Sequence, residues 1–117
     1  MLSTGYGALA QYTTVLASHA ALIPKNVTPS QASGFSSVAL TASNALFDIA
    51  QLEEGQSVFI NGGSTAVGSF AIQLAKAKGA RVAASASAKN EQYVRDLGAD
   101  EVCAPLLYLC LLGGDTG

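Results

Sequence analysis

The residues of this chain whose types and spacing could do chemistry fall in two short runs, 62–68 and 85–89. Gly62, Thr65 and Gly68 stand at the spacing of a G-x-x-G-x-x-G loop in which threonine occupies the central glycine position. A loop of this kind ahead of a helix suits a diphosphate. The first helical turn has backbone N–H groups without intrahelical partners and carries the positive end of the macrodipole, so phosphate oxygens gain hydrogen bonds and favourable electrostatics together. A central glycine normally lets the backbone approach a pyrophosphate closely. Thr65 adds a side chain there, and also a hydroxyl able to donate to an oxygen or to cap the helix. A glycine-rich turn of this type can also do no more than pack a helix on a sheet.

The second run carries Ser85, Ser87 and Lys89, about 20 residues beyond the last loop glycine, where NAD-binding folds place an acid that holds the ribose hydroxyls. No acid stands there. Hydroxyls and an ammonium group would accept the 2′-phosphate of NADPH, which a carboxylate would repel, so NADPH is the cofactor expected over NADH. The competing role for Ser87 is to cap the following helix, with Lys89 simply solvated. Arg81 is a poorer candidate for the phosphate, because it lies near the opposite end of the same strand.

Both runs need particular elements to hold them. Val58, Phe59 and Ile60 form an unbroken apolar stretch, which predicts a parallel strand over 57–61 buried on both faces. Beyond the turn, Val67, Phe70, Ala71, Leu74 and Ala75 recur at helical spacing, with Ser69, Gln73 and Lys76 largely on the other side and Gly79 as the helix stop. Residues 81–86 read as a second small apolar strand. A helix over 88–97 is expected to turn Tyr93, Val94 and Leu97 inward, to pair Glu91 with Arg95, and to end at Gly98. Upstream, 53–56 form a polar turn. Thr28 and Pro29 offer an N-cap and a first helical residue for a helix interrupted near Gly34 and resuming over 37–50, and 6–23 read as strand and connecting loop. The pattern is that of a dinucleotide-binding βαβ unit.

At this point the residues resemble a family. INGGSTAVGSFAIQLAKAKGARV followed by SAKNEQYVRDLGADEV is similar to the zinc-independent quinone oxidoreductase branch of the medium-chain dehydrogenase/reductase superfamily, including its fungal enoyl-reductase-like members. The upstream GALAQYTTVLASHAALIPKNVTPSQASGFSSVALTASNAL resembles the family's passage from its GroES-like catalytic domain into its cofactor domain. The resemblance covers about Gly5 to Val102. It implies an α/β chain: a partial Rossmann domain, that is, part of a doubly wound parallel sheet, over 27–103, preceded by a C-terminal remnant of a GroES-like catalytic domain over 1–26 and followed by a divergent apolar tail over 104–117. It further implies that Gly63, Ser64, Thr65, Ala66 and Val67 line the pyrophosphate loop and that Ser87 and Lys89 face the adenosine phosphate. Thr41 matches a family threonine near the nicotinamide, or else is a helix-interior hydroxyl bonded to its own backbone.

By the same resemblance, NADPH would deliver hydride to a small conjugated carbonyl or quinone, and the full-length enzyme is a possible homo-oligomer. No residue is assigned to catalysis at the acceptor. The region that shapes the family's substrate pocket and the later strands of its sheet have no counterpart in this sequence. An incomplete piece of such an enzyme is therefore expected, poorly stable and without turnover on its own. The alternative is a nucleotide-binding remnant or structural fragment from a truncated gene model.

Composition fits one domain at most. The chain has 117 residues, half of them hydrophobic and only 12% charged, enough to fill a core with little polar surface to spare. A net charge of −2 with no basic cluster argues against nucleic acid, whose phosphates demand a positive footprint. Cys103 and Cys110 have no zinc-type spacing with other ligands, so neither a metal site nor a disulfide framework is expected, and His19 stands alone. There is no signal-peptide pattern, and 106–112 is too short to span a bilayer, so no membrane role and a cytoplasmic location are expected. Rival cofactor folds fit less well. The loop lacks the Lys-Ser/Thr pair of a P-loop, and Tyr93 lacks the lysine spacing of a short-chain dehydrogenase.

Overall fold

A computed structural model of the chain describes residues 9–104. Its centre is a parallel three-stranded sheet in the order β1-β2-β3, with β1 at Ser57–Ile60, β2 at Arg81–Ser85 and β3 at Glu101–Cys103. Val58 pairs with Val82, and Ala84 with Val102. Parallel neighbours cannot be joined by a hairpin, so a helix carries the chain back after each of the first two strands. Two helices precede the sheet, α1 (Pro29–Gly34) and α2 (Leu40–Ser43); α3 (Ala66–Ala77) follows β1 and α4 (Glu91–Asp96) follows β2. This succession matches one half of a doubly wound parallel sheet. The expected α/β class is what forms.

Burial is centred on β2. Val82 and Ala84 are fully buried in one apolar cluster with Ile72 and Ala75 of α3 and Val94 of α4. β1 departs from expectation: only Ile60 is buried, while Val58 and Phe59 are half-buried and Ser57 is exposed. β1 lies at one edge of the described sheet, so its apolar run is covered less than that of a central strand. The buried stripe of α3 is also rotated from the sequence reading. Gly68, Ala71, Ile72 and Ala75 form it at helical spacing, Ser69 is buried with its hydroxyl donating to the Ala66 carbonyl at 2.9 Å, and Val67 is 39% exposed. Small residues win the inward face because helix and sheet approach closely there. Tyr93 likewise faces out, 49% exposed, whereas Val94 fills the core and Leu97 packs at its margin.

The helix ends follow the expected chemistry. After α3, the Gly79 N–H donates to the Lys76 carbonyl at 2.9 Å and the Ala80 N–H to the Ala75 carbonyl at 3.0 Å, a Schellman closure with Gly79 at φ 86°. The same pair of bonds recurs after α4, from Gly98 to Arg95 and from Ala99 to Val94. Glu91 and Arg95 pair at 2.9 Å as expected. Lys76, read onto the outer side of α3, bridges to Asp100 at 2.9 Å, and Asp100 also accepts the Val82 N–H at 2.7 Å. These bonds, together with the Lys76 and Arg81 charges nearby, hold the Asp100 carboxyl below the ordinary carboxylate pKa.

Upstream of the sheet, Thr28 caps α1 through a reciprocal capping box with Gln31. The expected break at Gly34 is absent. α1 runs into α2 through a wider π-helical stretch at Phe35–Ala39, and a second such stretch, Asn44–Ile49, follows. The first places Phe35 edge-on against Phe70 of α3, with ring centroids 5.1 Å apart. Glycine alone does not break a helix whose neighbours pack on another helix. Residues 9–27 correct the reading of a strand there. They contain a short 3₁₀ turn, Ala17–His19, and no strand, with Leu9, Tyr12, Leu16 and Leu22 exposed, because no described segment lies alongside to pair with them. Most of the expected apolar tail, with Cys110, lies outside the described residues, as do residues 1–8.

Candidate functional site

The site is the turn between β1 and α3. Gly62 adopts φ 76°, a left-handed conformation that a residue with a side chain rarely takes, and it reverses the chain as the strand ends. Its carbonyl receives two hydrogen bonds from Thr65, one from the backbone N–H at 3.0 Å and one from the hydroxyl at 2.8 Å. The Thr65 hydroxyl in turn accepts the Gly68 N–H at 3.1 Å, which makes it the N-cap of α3. Of the two roles open to the Thr65 hydroxyl, capping is the one realised, and its proton is committed to the Gly62 carbonyl.

With Gly68 capped, the amides of Ala66 and Val67 remain as donors at the helix start, since no intrahelical carbonyl lies within their reach. Both residues are exposed. No acid occupies the first turn, so the positive end of the helix dipole is not offset from within α3. Two of the glycines are required by space. A Cβ on Gly68 would overlap the Gly62 carbonyl, and one on Gly63 would meet Ala84 Cβ at 2.9 Å and Ile72 Cδ1 at 3.0 Å. The result is a shallow backbone cradle carrying two free amides, which fits a phosphate group.

The second strand-to-helix turn is built differently. Ser87 begins the 3₁₀ turn Ala88–Asn90, and its carbonyl accepts the Asn90 N–H at 2.8 Å, but its hydroxyl makes no cap. Ser87 and Lys89 are exposed, with no side-chain hydrogen bond or ion pair among the described residues. Asn90 joins the two turns: its Nδ2 donates to the Ser64 hydroxyl at 3.2 Å. The structure thus brings Ser64 of the first turn against the second, where Ser87 and Lys89 stand. Thr41 is not joined to them by any described contact. It lies on α2, and its hydroxyl donates to the Ser37 carbonyl at 2.8 Å, the helix-interior arrangement.

Sequence reasoning missed three participants. Ser85, read only as standing in the vicinity of Ser87 and Lys89, is only 2% exposed, and its hydroxyl lies beneath the loop, accepting the Gly62 N–H at 2.9 Å and donating to Asn61 Oδ1 at 2.6 Å. Asn61 and Asn90 carry no motif of their own. The available signal was a serine inside an otherwise apolar strand, which must find a partner if buried. Among the described residues no group of three or more metal-ligating side chains occurs, and no helix is long and apolar enough to cross a membrane.

Known proteins are similar to this chain in sequence and fold. No family model matches the chain. A protein of Danio rerio named NAD(P)H oxidoreductase RTN4IP1, mitochondrial, is 40% identical over 100 residues, covering 82% of this chain and 26% of its own length. The trans-enoyl reductase pgmF of Aspergillus terreus is 37% identical over 97 residues, covering 83% and 27%. Among solved structures, a quinone oxidoreductase from Thermus thermophilus, also described in complex with NADPH, superposes with a TM-score of 0.67 at 28% identity, over 79% of this chain and 32% of that one. The chain spans about a quarter of the length of these curated relatives.

Proposed function

We propose that this chain, which belongs to the quinone- and enoyl-oxidoreductase-like part of the medium-chain dehydrogenase/reductase superfamily, supplies the NADPH-binding turn of a reductase acting on small conjugated carbonyls or quinones. One observation carries the reading: the β1–α3 turn is a glycine-lined cradle in which the amides of the exposed residues Ala66 and Val67 have no intrahelical partner at a helix start. When bound, NADPH would supply the hydride. The chain's own residues bind and orient. Ala66 and Val67 donate to the diphosphate. Thr65 contributes no proton of its own but fixes the first turn of α3 so that those two amides stay aimed outward.

The preference for NADPH over NADH rests on the second turn. Ser87 and Lys89 carry a hydroxyl and an ammonium group that nothing else in the described residues engages, beside the turn that Asn90 ties to the diphosphate loop. A 2′-phosphate there would gain charge-assisted hydrogen bonds. Calorimetric titration of the chain with NADPH and NADH tests the reading. Tighter NADPH binding is expected; equal affinities would remove the 2′-phosphate role, and no binding of either would remove the cofactor role altogether. Following cofactor absorbance with enones and quinones then separates a reductase from a chain that binds the dinucleotide without turnover.

A further inference from the structure

Ser85 holds the two glycines of the turn from below. Its side-chain oxygen accepts the Gly62 N–H at 2.9 Å, and its main-chain carbonyl accepts the Gly63 N–H at 2.8 Å. One residue on the central strand therefore takes both glycine amides. These amides cannot bond as a normal strand continuation would, because Gly62 turns the chain at φ 76°. The Gly62 peptide is pinned on its other side too, since its carbonyl receives the two Thr65 bonds. The hydroxyl proton of Ser85 goes to Asn61 Oδ1 at 2.6 Å, so its single donor is committed and orients the carboxamide of an exposed residue just beyond β1.

We propose that Ser85 is a positioning residue for dinucleotide binding: it fixes the Gly62–Gly63 turn, and through it the start of α3, without touching the ligand. This rests on the NADPH-binding reading above and adds a residue that acts from the buried side of the sheet. Replacement of Ser85 by alanine would leave the Gly62 N–H and Asn61 Oδ1 without their partner. The turn can relieve an orphaned donor by leaving its binding conformation. The loss falls on the part of the ligand common to both dinucleotides. Ser85 therefore differs in its signature from Lys89, whose effect belongs to the 2′-phosphate.

The test is calorimetry with NADPH and NADH on the full chain and on Ser85→Ala and Asn61→Ala, together with amide hydrogen exchange on the ligand-free proteins. Ser85→Ala is expected to weaken both dinucleotides by the same factor, about tenfold. It should also speed exchange at Gly62 and Gly63 while Ile72 and Val82 stay protected. A merely structural role would raise exchange across the core as well. Asn61→Ala, at an exposed position, should give a smaller loss that is again equal for the two ligands, and it decides the matter if Ser85→Ala does not fold. Parent-like affinity in the folded variants, or a loss confined to NADPH, would overturn the proposal. If the parent chain binds neither dinucleotide, the functional reading fails by itself; unchanged Gly62 and Gly63 exchange in Ser85→Ala would then overturn the positioning role separately.

Discussion

The two strand-to-helix turns of this chain are built by opposite means. In the β1–α3 turn almost every polar group is spent internally: Gly62 on Ser85 and Thr65, Gly63 on the Ser85 carbonyl, Gly68 on the Thr65 hydroxyl. What it offers outward is backbone, and backbone donors bind only if the chain is held still. In the turn after β2, the side chains of Ser87 and Lys89 are exposed and engaged by nothing described. What that turn offers is side chains, which can find a ligand without a rigid frame. Substitutions in the first turn should thus cost folding and binding together, and substitutions in the second should change ligand choice alone.

The largest effect is expected where backbone meets backbone. Gly68→Val puts a Cβ into the Gly62 carbonyl, and neither partner is a flexible side chain, so a destabilisation of about 3 kcal/mol or more is expected in thermal or urea unfolding, with dinucleotide binding lost. Gly63→Ala meets the side-chain tips of Ile72 and Val94, which can give way, and the Ala84 Cβ at 2.9 Å, which can move only with the β2 backbone. About 1–2 kcal/mol is expected there. A Gly63→Ala cost above that of Gly68→Val would mean that the close approach of α3 to the loop is not what constrains the turn.

Lys89→Ala should leave the unfolding midpoint unchanged and weaken NADPH roughly fivefold with no change for NADH, since one charge-assisted contact of about 1 kcal/mol is removed. An equal change for both cofactors would erase the distinction between the turns. The smallest effect is expected far from either turn. Lys76 and Asp100, with side chains 35% and 36% exposed, bridge α3 to the start of β3, and Lys76→Ala should leave dinucleotide affinity unchanged. The pair does carry a pH dependence. The Asp100 carboxyl is held below its ordinary value of 3.8, so its contribution to stability is present in full above that pH and is lost as pH falls through the lower folded value. Asp100→Asn should flatten the acid limb of the stability curve measured by urea unfolding.

How much of this was legible in the sequence depended on whether a feature was local. The βαβ order, the Thr65 cap, the glycine stops at Gly79 and Gly98 and the Glu91–Arg95 pair are all written within a few neighbouring residues, and the structure forms them. The errors concern contacts made across the sheet. Nothing near Ser85 announces that its hydroxyl meets Gly62, 23 positions earlier in the chain. The Lys76 bridge spans 24 positions. On α3, Ala71 and Ala75 are buried and Phe70 and Leu74 pack against the core as expected, but Val67 is exposed and Gly68, Ser69 and Ile72 are buried as well, which the contact with the loop and sheet decides and the local pattern does not. The strand expected upstream of Pro24 is absent from the described residues 9–23, since a strand forms only beside a partner.

Central to the proposed function is diphosphate binding by the first turn through the amides of Ala66 and Val67. A backbone-amide NMR titration of the chain with NADPH tests it directly. Saturating shifts are expected to be largest at Ala66 and Val67, with smaller ones at Ser87 and Lys89, and titration with NADH should keep the first set and lose the second. Binding that leaves the Ala66 and Val67 amides unmoved, or that shifts residues on another face of the sheet, would contradict the account.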